Sequence, residues 1–472
     1  MDATPRQGGW SFSKAFWTAN VVELLERAAW YGVFVAITLY LTRILGFSDM
    51  ETGVIAGLFS AGLYLLPVFS GALADKIGFK RALLLAFALL SVGYASMWLL
   101  PALIEGAGLA TYGEKADVTA LSQTGYKWLF LPVMVVVMIG GSFIKSVITG
   151  TVAKETTEET RARGYSIFYA MVNVGAFSGK TIVKPLRMSM GDRGLVVLNL
   201  FAAGMTAVAF LLVAVFYKSV ASDKPQKTLG EVGRALLAAC KQVRLVLLMV
   251  IITGFWMVQH QLYATMPKYV LRMAGEGASP SWYANVNPAM VVLFVGLITQ
   301  LMRRYTALTS MTVGMFIMPI SAFCMAAGNL LPAGELVFGM HPVAFMMIVG
   351  IAFQGIAECF ISPRYLEYFS LQAPTGEEGL YLGFSHLHSF LSSILGFSLS
   401  GVLLDVFCPA RSKFTTAAAW RAAKAHAHYI WFVFVGIAVV SALSLIAFGT
   451  ITRRIDANAA NATNAATTPD NN

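Results

Sequence analysis

The sequence predicts an all-α membrane protein, and two observations lead to this prediction. Of the 472 residues, 57% are hydrophobic and only 12% are charged, a balance that excludes a set of water-soluble globular domains. The apolar residues also gather into runs of about 20 residues or more, the length that an α-helix needs to cross roughly 30 Å of hydrocarbon. This much apolar surface must face lipid, so the lipid bilayer is the first partner that we expect.

The apolar runs follow one another along the chain in two sets of six. They lie near 16–44, 51–75, 81–104, 128–152, 163–186, 193–217, 245–272, 284–303, 307–332, 341–370, 379–406 and 427–452. This pattern predicts an N-terminal six-helix bundle at 1–217, a cytoplasmic linker at 218–244 and a C-terminal six-helix bundle at 245–453. Two repeated bundles are typical of transporters that hold their substrate between the repeats.

Two polar segments adjoin the bundles. From Thr228 to Cys240 the apolar residues recur with a helical period, which predicts an amphipathic helix lying on the inner leaflet. The tail at 454–472 consists largely of Asn, Ala and Thr. Because it has little to bury, we expect this tail to be disordered.

Basic residues in the short loops predict the orientation of the helices. If the helices alternate in direction, most of these residues lie on one side of the membrane, which predicts that both termini are cytoplasmic. They are Lys76, Lys80, Arg81, Lys154, Arg161, Arg163, Arg303, Arg304, Arg453 and Arg454. Four others, Lys180, Lys184, Arg187 and Arg193, lie on the opposite side. Either they line a central cavity or the fifth helix is displaced. These loops account for the net charge of +10, and no nucleic-acid partner is expected.

Ionisable residues within the apolar runs mark the candidate site, since each costs roughly 2.5–3.5 kcal/mol at the bilayer centre. Glu23, Glu26 and Arg27 lie on one face of the first helix, where Glu23 and Arg27 can pair. Lys145 has no acid within eight residues, so if buried it needs a partner from another helix. Otherwise its ammonium extends to the membrane surface. Glu358 lies in the tenth run. These groups form either structural ion pairs or a site for protons and substrate.

Several motifs, in the same order along the chain, resemble those of a known family. GALADKIGFKR, which begins at Gly71, resembles the helix 2–3 signature of the major facilitator superfamily. ELLERAAWYG, from Glu23, is similar to the ExxERxxYYG motif of the proton-coupled oligopeptide transporters. FYAMVNVGAF from Phe168, ECFISP from Glu358 and the Ala373-Pro374 pair are also similar to segments of that family. The resemblance covers about residues 15–400.

The resemblance implies a major facilitator fold with twelve transmembrane helices in two six-helix bundles. It implies a symporter that moves di- and tripeptides together with protons by alternating access, in the cell membrane or a bacterial inner membrane, without a cofactor or metal. The residues implied in proton coupling are Glu23, Glu26, Arg27 and Lys145. Those implied in substrate binding are Tyr31, Tyr64, Lys145 and Asn173 on one bundle and Trp256, Asn287 and Glu358 on the other. In that site Lys145 would attract the peptide carboxylate and Glu358 its amine.

Three departures from the family pattern bear on the substrate and on proton coupling. Phe34 stands where the family commonly has an arginine, so one cation expected to bind a carboxylate is missing. Gln259 or His260 stands where many bacterial members have an acid. His260 is therefore either a replacement proton carrier, since histidine titrates near neutral pH, or a neutral residue that contacts substrate. The linker is also too short for the two extra helices that many members insert.

Alternatives to peptide symport remain open at this point. One alternative is that the same scaffold transports another small zwitterionic or organic solute. The other is that the protein is a membrane receptor that transports nothing. The missing cation at Phe34 favours another solute. No enzyme is expected, because the sequence lacks a Ser/His/Asp order, a paired metal motif and a phosphate loop in the required strand context.

Overall fold

The computed structural model describes residues 12–218, 229–332, 334, 336–372 and 378–467. Almost all of this part of the chain is helical, which confirms the predicted all-α class. Besides the helices, the described residues contain one short hairpin, formed by β1 (Thr111–Tyr112) and β2 (Ala116–Asp117). The Ala373-Pro374 pair and three charged residues of the linker, Asp223, Lys224 and Lys227, lie outside the described residues.

The N-terminal half contains eight helices. They are α1 (Lys14–Leu39), α2 (Asp49–Leu65), α3 (Pro67–Ile77), α4 (Phe79–Gly106), α5 (Thr119–Ser122), α6 (Phe130–Lys154), α7 (Glu158–Met190) and α8 (Arg193–Phe216). A π-helical turn at Tyr40–Ile44 extends α1, and a 3-10 turn at Gly125–Leu129 precedes α6.

The linker and the C-terminal half contain twelve further helices. They are α9 (Leu229–Ala239), α10 (Val243–Gln259), α11 (Gln261–Ala264), α12 (Met266–Ala274), α13 (Pro280–Tyr283), α14 (Val286–Met302), α15 (Ala307–Ala327), α16 (Pro342–Leu371), α17 (Glu378–Ser385), α18 (Leu387–Phe407), α19 (Ala417–Ala423) and α20 (Tyr429–Thr467). A 3-10 turn at Arg411–Lys413 lies between α18 and α19.

Local sequence determines where several helices begin and end. Ser48 caps α2 by accepting a hydrogen bond from the backbone of Glu51, whose side chain accepts one from Ser48 in return; this capping box satisfies two backbone donors. Pro67 occupies the first position of α3, where its missing N–H costs nothing. Gly78 has φ of 88°, a conformation that favours glycine, and it separates α3 from α4.

Eleven helical segments among the described residues are long and apolar enough to cross a membrane. Each of the eleven corresponds to one of the twelve predicted runs, and the last of them is the first part of α20. The fifth predicted run corresponds to α7, which is 33 residues long but is not one of these segments. Lys180, Lys184 and Arg187 make α7 the most polar of the long helices of the N-terminal half. The count of twelve spans and the position of the termini therefore stay predictions.

The C-terminal tail corrects one prediction. We expected disorder from residue 454, but α20 continues as a helix to Thr467. The tail is rich in alanine, which has the highest helix propensity of the amino acids. The helix propensity of the alanines therefore accounts for the extension of the helix. Residues 468–472 lie outside the described part.

Small residues allow close packing between helices that come from different parts of the chain. A Cβ atom at Gly179 of α7 would overlap the carbonyl oxygen of Ala28 on α1. A Cβ atom at Gly401 of α18 would lie 2.5 Å from the carbonyl oxygen of Asp49 at the start of α2. Helices in membranes commonly pack through small residues, because dispersion contacts are the attraction available there. The first contact joins helices within the N-terminal half, and the second joins the two halves.

Candidate substrate and proton site

The first part of the site is a charged cluster on α1. Arg27 donates to Glu26 through Nε, 2.5 Å from Oε2, and its Nε lies 3.3 Å from Oε1 of Glu23. Glu23 and Glu26 are 3% and 2% exposed. Because α1 carries the three residues at positions i, i+3 and i+4, the helix itself aligns them. Two buried carboxylates thus share one guanidinium.

Lys145 of α6 is the nearest candidate for a second cation beside this cluster. It interacts electrostatically with Glu23 and Arg27, as the prediction of a partner on another helix requires. Its side chain is exposed, so Lys145 does not have the buried position that would make such a partner obligatory. The ammonium is therefore accessible to solvent or substrate while it remains within range of Glu23.

The second part of the site lies in the C-terminal half, around Glu358 of α16. Gln259 Nε2 donates to Oε2 of Glu358 over 2.7 Å, and Asn287 Nδ2 donates to the same oxygen over 3.3 Å. Gln354, one turn earlier on α16, donates to the backbone carbonyl of Val258 over 3.1 Å. These bonds tie α10, α14 and α16 together and orient the carboxylate. The helix continues through Pro363.

Aromatic side chains from both halves lie between the two charged parts. The rings of Tyr31 and Tyr263 are 6.5 Å apart, and those of Tyr64 and His260 are 6.3 Å apart. Tyr31 also interacts electrostatically with both Arg27 and Glu358. A solute that touches Tyr31 is therefore close to the charges of both halves.

His260 and Trp256 belong to this aromatic group. The His260 ring is 5% exposed and lies 6.3 Å from Trp256 and 5.9 Å from Phe397 between ring centres. Among the described residues its Nδ1 has no hydrogen-bond partner. An unpaired buried polar atom is costly, so this nitrogen is a candidate for contact with a solute.

Asn173 is placed differently from the other predicted substrate residues. Its Nδ2 donates to the carbonyl oxygen of Tyr169 on its own helix, over 2.8 Å. Tyr169, one turn before it, is 48% exposed and interacts electrostatically with Glu358. This part of α7 therefore faces the site. Of Asn173 and Tyr169, it is Tyr169 that interacts with the other half of the molecule.

Sequence reasoning assigned no role to Gln259 or Tyr263 and left the position of Lys180 open, and the fold places all three in the site. Gln259 supports Glu358, Tyr263 contributes a ring, and Lys180 places an ammonium beside Tyr31 and Tyr263. Lys180 did give a signal, since it is one of the four cations on the wrong side of the predicted topology. Its place beside these rings is consistent with the alternative in which those cations line a cavity.

Ion pairs join the two halves at one end of the helices, here called the distal end and defined by Arg43, Asp49, Lys268, Arg272 and Glu276. Asp49 Oδ1 lies 2.8 Å from Lys268 Nζ, and Oδ2 lies 2.9 Å from Arg272 Nη1. Glu276 Oε1 lies 2.6 Å from Arg43 Nη2. The Asp49 and Lys268 side chains are both 2% exposed, so this end of the molecule is closed.

Glu276 has a second cationic partner, Arg187, at 2.8 Å. Partial burial acts to raise the pKa of Glu276, but the hydrogen bonds and charges of Arg43 and Arg187 outweigh it and hold the pKa below its ordinary value. Glu276 therefore stays ionised at neutral pH.

Two helical halves with opposed charged groups between them define the architecture of a secondary transporter. Residues 20–334 match the family model of the Major Facilitator Superfamily. The chain belongs to this superfamily and is a multi-pass protein of the cell membrane.

Comparison with solved structures shows the same fold in peptide transporters. One solved structure, described as giving insights into substrate recognition in proton dependent oligopeptide transporters, is 18% identical in sequence to this chain. The two structures superpose with a TM-score of 0.69 over 93% of this chain and 98% of the other. A peptide transporter POT in complex with sulfate is 17% identical, with a TM-score of 0.69 over 95% and 96% of the two chains.

Comparison by sequence finds relatives with a different name. Multidrug resistance protein MdtH of Sodalis glossinidius (strain morsitans) is 24% identical over 393 residues, which cover 81% of this chain and 84% of the relative. MdtH of Yersinia pestis (strain Pestoides F) is 23% identical over 389 residues, covering 81% and 85%.

Proposed function

We propose that this protein is a divergent proton-coupled oligopeptide transporter, a symporter of di- and tripeptides. The observation that carries the proposal is the opposition of charges across the site. Glu358 presents a carboxylate on the C-terminal half, oriented by Gln259 and Asn287. The N-terminal half presents Arg27 and the exposed Lys145. A zwitterionic peptide fits this arrangement with its amine at Glu358 and its carboxylate on the cationic side.

Proton coupling is assigned to Glu23, Glu26, Arg27 and Lys145. A proton shifts the equilibrium between two states of a carrier only if it interacts differently with them. Protonation of Glu23 or Glu26 weakens the attraction to Arg27 and changes the balance with Lys145. These residues lie on different helices, α1 and α6, so a change in their pairing alters how the helices pack.

The closed distal end supports alternating access. Asp49, Lys268 and Arg272 hold the halves together there, while Lys145 and Tyr169 of the site are exposed. Transport then requires that these ion pairs separate as the site opens to the distal side.

Uptake by purified protein in liposomes tests the proposal. With an acid-outside gradient, the parent protein should accumulate dialanine and trialanine, and dissipating the gradient should abolish accumulation. Glu23→Gln and Glu26→Gln should each lose accumulation but retain counterflow exchange, since exchange moves no net proton. Lys145→Ala should lose gradient-driven uptake while remaining folded. Full accumulation by all three variants contradicts the assignment of proton coupling.

The second candidate is transport of another small organic solute on the same scaffold. Phe34 in place of an arginine and the relatives named multidrug resistance proteins support it. Liposomes loaded with fluorescent organic cations distinguish the candidates: cation flux without peptide flux favours the second. Substrate binding without flux of any solute favours the receptor alternative.

A further inference from the structure

Lys180 is a buried lysine on α7 that the roles above do not use. Its side chain is 2% exposed. Its Nζ donates to the carbonyl oxygen of Ala284 in the other half, over 3.3 Å. It also lies 5.0 Å from the centre of the Tyr31 ring and 5.6 Å from that of Tyr263. Two rings and one long hydrogen bond to a neutral carbonyl offset only part of the cost of burying an ammonium.

The backbone beside Lys180 is fixed in place. Gly179 packs directly on the carbonyl of Ala28, and Gly175 on that of Leu24, so any side chain at either glycine would overlap α1. Since Tyr31 lies on the same α1, the lysine and this ring keep their relative position. A group held this firmly is suited to binding a ligand.

Lys180 also lies beside the position at which the family resemblance leads us to expect a cation. The Phe34 ring is 5.1 Å from the Tyr263 ring, and the Lys180 ammonium lies against that same ring. Phe34, Tyr263 and Lys180 thus form one wall of the site. The positive charge missing from α1 is supplied to this wall from α7.

Glu358 lies across the site from Lys180, and the two interact electrostatically. The hydrogen bonds of the Glu358 carboxylate nevertheless come from Gln259 and Asn287, and no salt bridge joins it to Lys180 within the described part of the chain. An ammonium and a carboxylate therefore face each other across the site without forming an ion pair.

We propose that Lys180 binds the anionic group of the transported solute, with Glu358 holding its amine. This inference rests on the proposed function and assigns the peptide carboxylate to Lys180 rather than Lys145. In the distal-closed state the ammonium donates to the carbonyl oxygen of Ala284. A solute carboxylate, as a charged acceptor, forms the stronger hydrogen bond and displaces that carbonyl.

The test compares dialanine with dialanine amide, which lacks the carboxylate, in counterflow and in thermal unfolding of the purified protein. In the parent protein dialanine should bind more tightly than the amide. Lys180→Met removes the charge at similar volume and should weaken dialanine binding by about tenfold or more, with amide binding unchanged. Lys180→Arg should retain part of the preference.

Lys184→Met is the matched control. Lys184 lies one turn further along α7, and its ammonium stacks on Trp282 of the other half at 4.1 Å. Its loss removes a comparable contact between the halves, so it should affect both ligands equally. If Lys180 were only such a contact, Lys180→Met would also weaken both ligands equally, and that result overturns the inference. An unchanged preference in Lys180→Met overturns it as well.

The same experiment separates this inference from the proposed function. Suppose that the parent protein transports neither peptide, but that acetate or benzoate raises its unfolding temperature. Peptide transport is then contradicted. If the rise in unfolding temperature is lost in Lys180→Met, an anion site at Lys180 is still supported. If no carboxylate binds the parent protein, the inference is wrong.

Discussion

His260 shows how the surroundings of one side chain bear on its role. The sequence leaves two possibilities, a proton carrier or a polar residue that contacts substrate. The structure surrounds the ring with Tyr64, Trp256 and Phe397 and leaves its Nδ1 unbonded among the described residues. A carrier needs a charged partner whose attraction changes with the proton, whereas a contact residue needs a free polar atom beside the solute. These surroundings favour the contact role.

We predict that His260→Gln raises the KM for uptake several-fold and leaves the pH profile unchanged, because glutamine can reproduce a hydrogen bond but cannot titrate. Initial rates of dialanine uptake across pH 5.5–7.5, at several concentrations, check this prediction. The outcome that contradicts it is a flattened pH profile with an unchanged KM, which would make His260 a proton carrier.

Site residues differ in how far the sequence predicts them. Glu23, Glu26 and Arg27 follow from helical spacing alone, since one helix aligns them. The partners of Glu358 do not follow in this way, because Gln259 and Asn287 lie on other helices and an amide in an apolar run carries little signal. Lys180 was visible as an exception to the charge rule for loops, but only the packing of α7 on α1 places it in the site.

At the scale of helices, apolar runs and caps predict most of the fold. The bounds of α4 and α14 lie within a few residues of the predicted runs, because length and hydropathy determine a membrane span, whereas the second predicted run is divided between α2 and α3. The helical tail of α20 does not follow from hydropathy, because alanine has a high helix propensity whether or not it is buried. The contact between α2 and α18 is not predictable from the sequence either, since it depends on Gly53 and Gly401, which are 348 positions apart and lie against each other.

The contact of Gly401 with Asp49 predicts what happens when one methyl group is added at Gly401. In Gly401→Ala the added Cβ would lie 2.5 Å from the carbonyl oxygen of Asp49, so α18 must move away from α2 and the distal-closed state is destabilised. We expect a lower rate of uptake and a lower unfolding temperature. Gly204→Ala on α8 is the control, because nothing lies within 4 Å of its added Cβ, and it should behave like the parent protein. Equal loss in both variants would show a general effect of alanine.

For the whole molecule, the charges divide into two groups with different relations to pH. The distal ion pairs join the halves directly, and the cluster around Glu23 and Glu26 lies deeper, within one half. Since the pKa of Glu276 is lowered, its contribution to closure is present above the ordinary glutamate pKa of about 4.3 and is lost only as the pH falls through the lowered value. Changes of pH near neutrality therefore do not act through Glu276.

The last prediction concerns closure of the distal end. Asp49 accepts hydrogen bonds from both Lys268 and Arg272, and Asp49→Asn leaves two cations facing an uncharged amide in a buried contact, which is strongly unfavourable. We expect the distal ends of the halves to separate and uptake to fall. Lys115 lies in the turn between β1 and β2, beside the partners of Arg43, and Thr415 lies just before α19, which is followed by a contact with Arg272. Spin labels at Lys115→Cys and Thr415→Cys, in a background without the native cysteines, report the separation by double electron–electron resonance. The parent protein should give one short distance that does not change between pH 7.5 and 5.5, and Asp49→Asn should add a longer one. Glu276→Gln, which removes a more exposed anion, should lengthen the distance less. If Asp49→Asn gives the parent distance, the ion pairs of Asp49 do not hold the distal end closed.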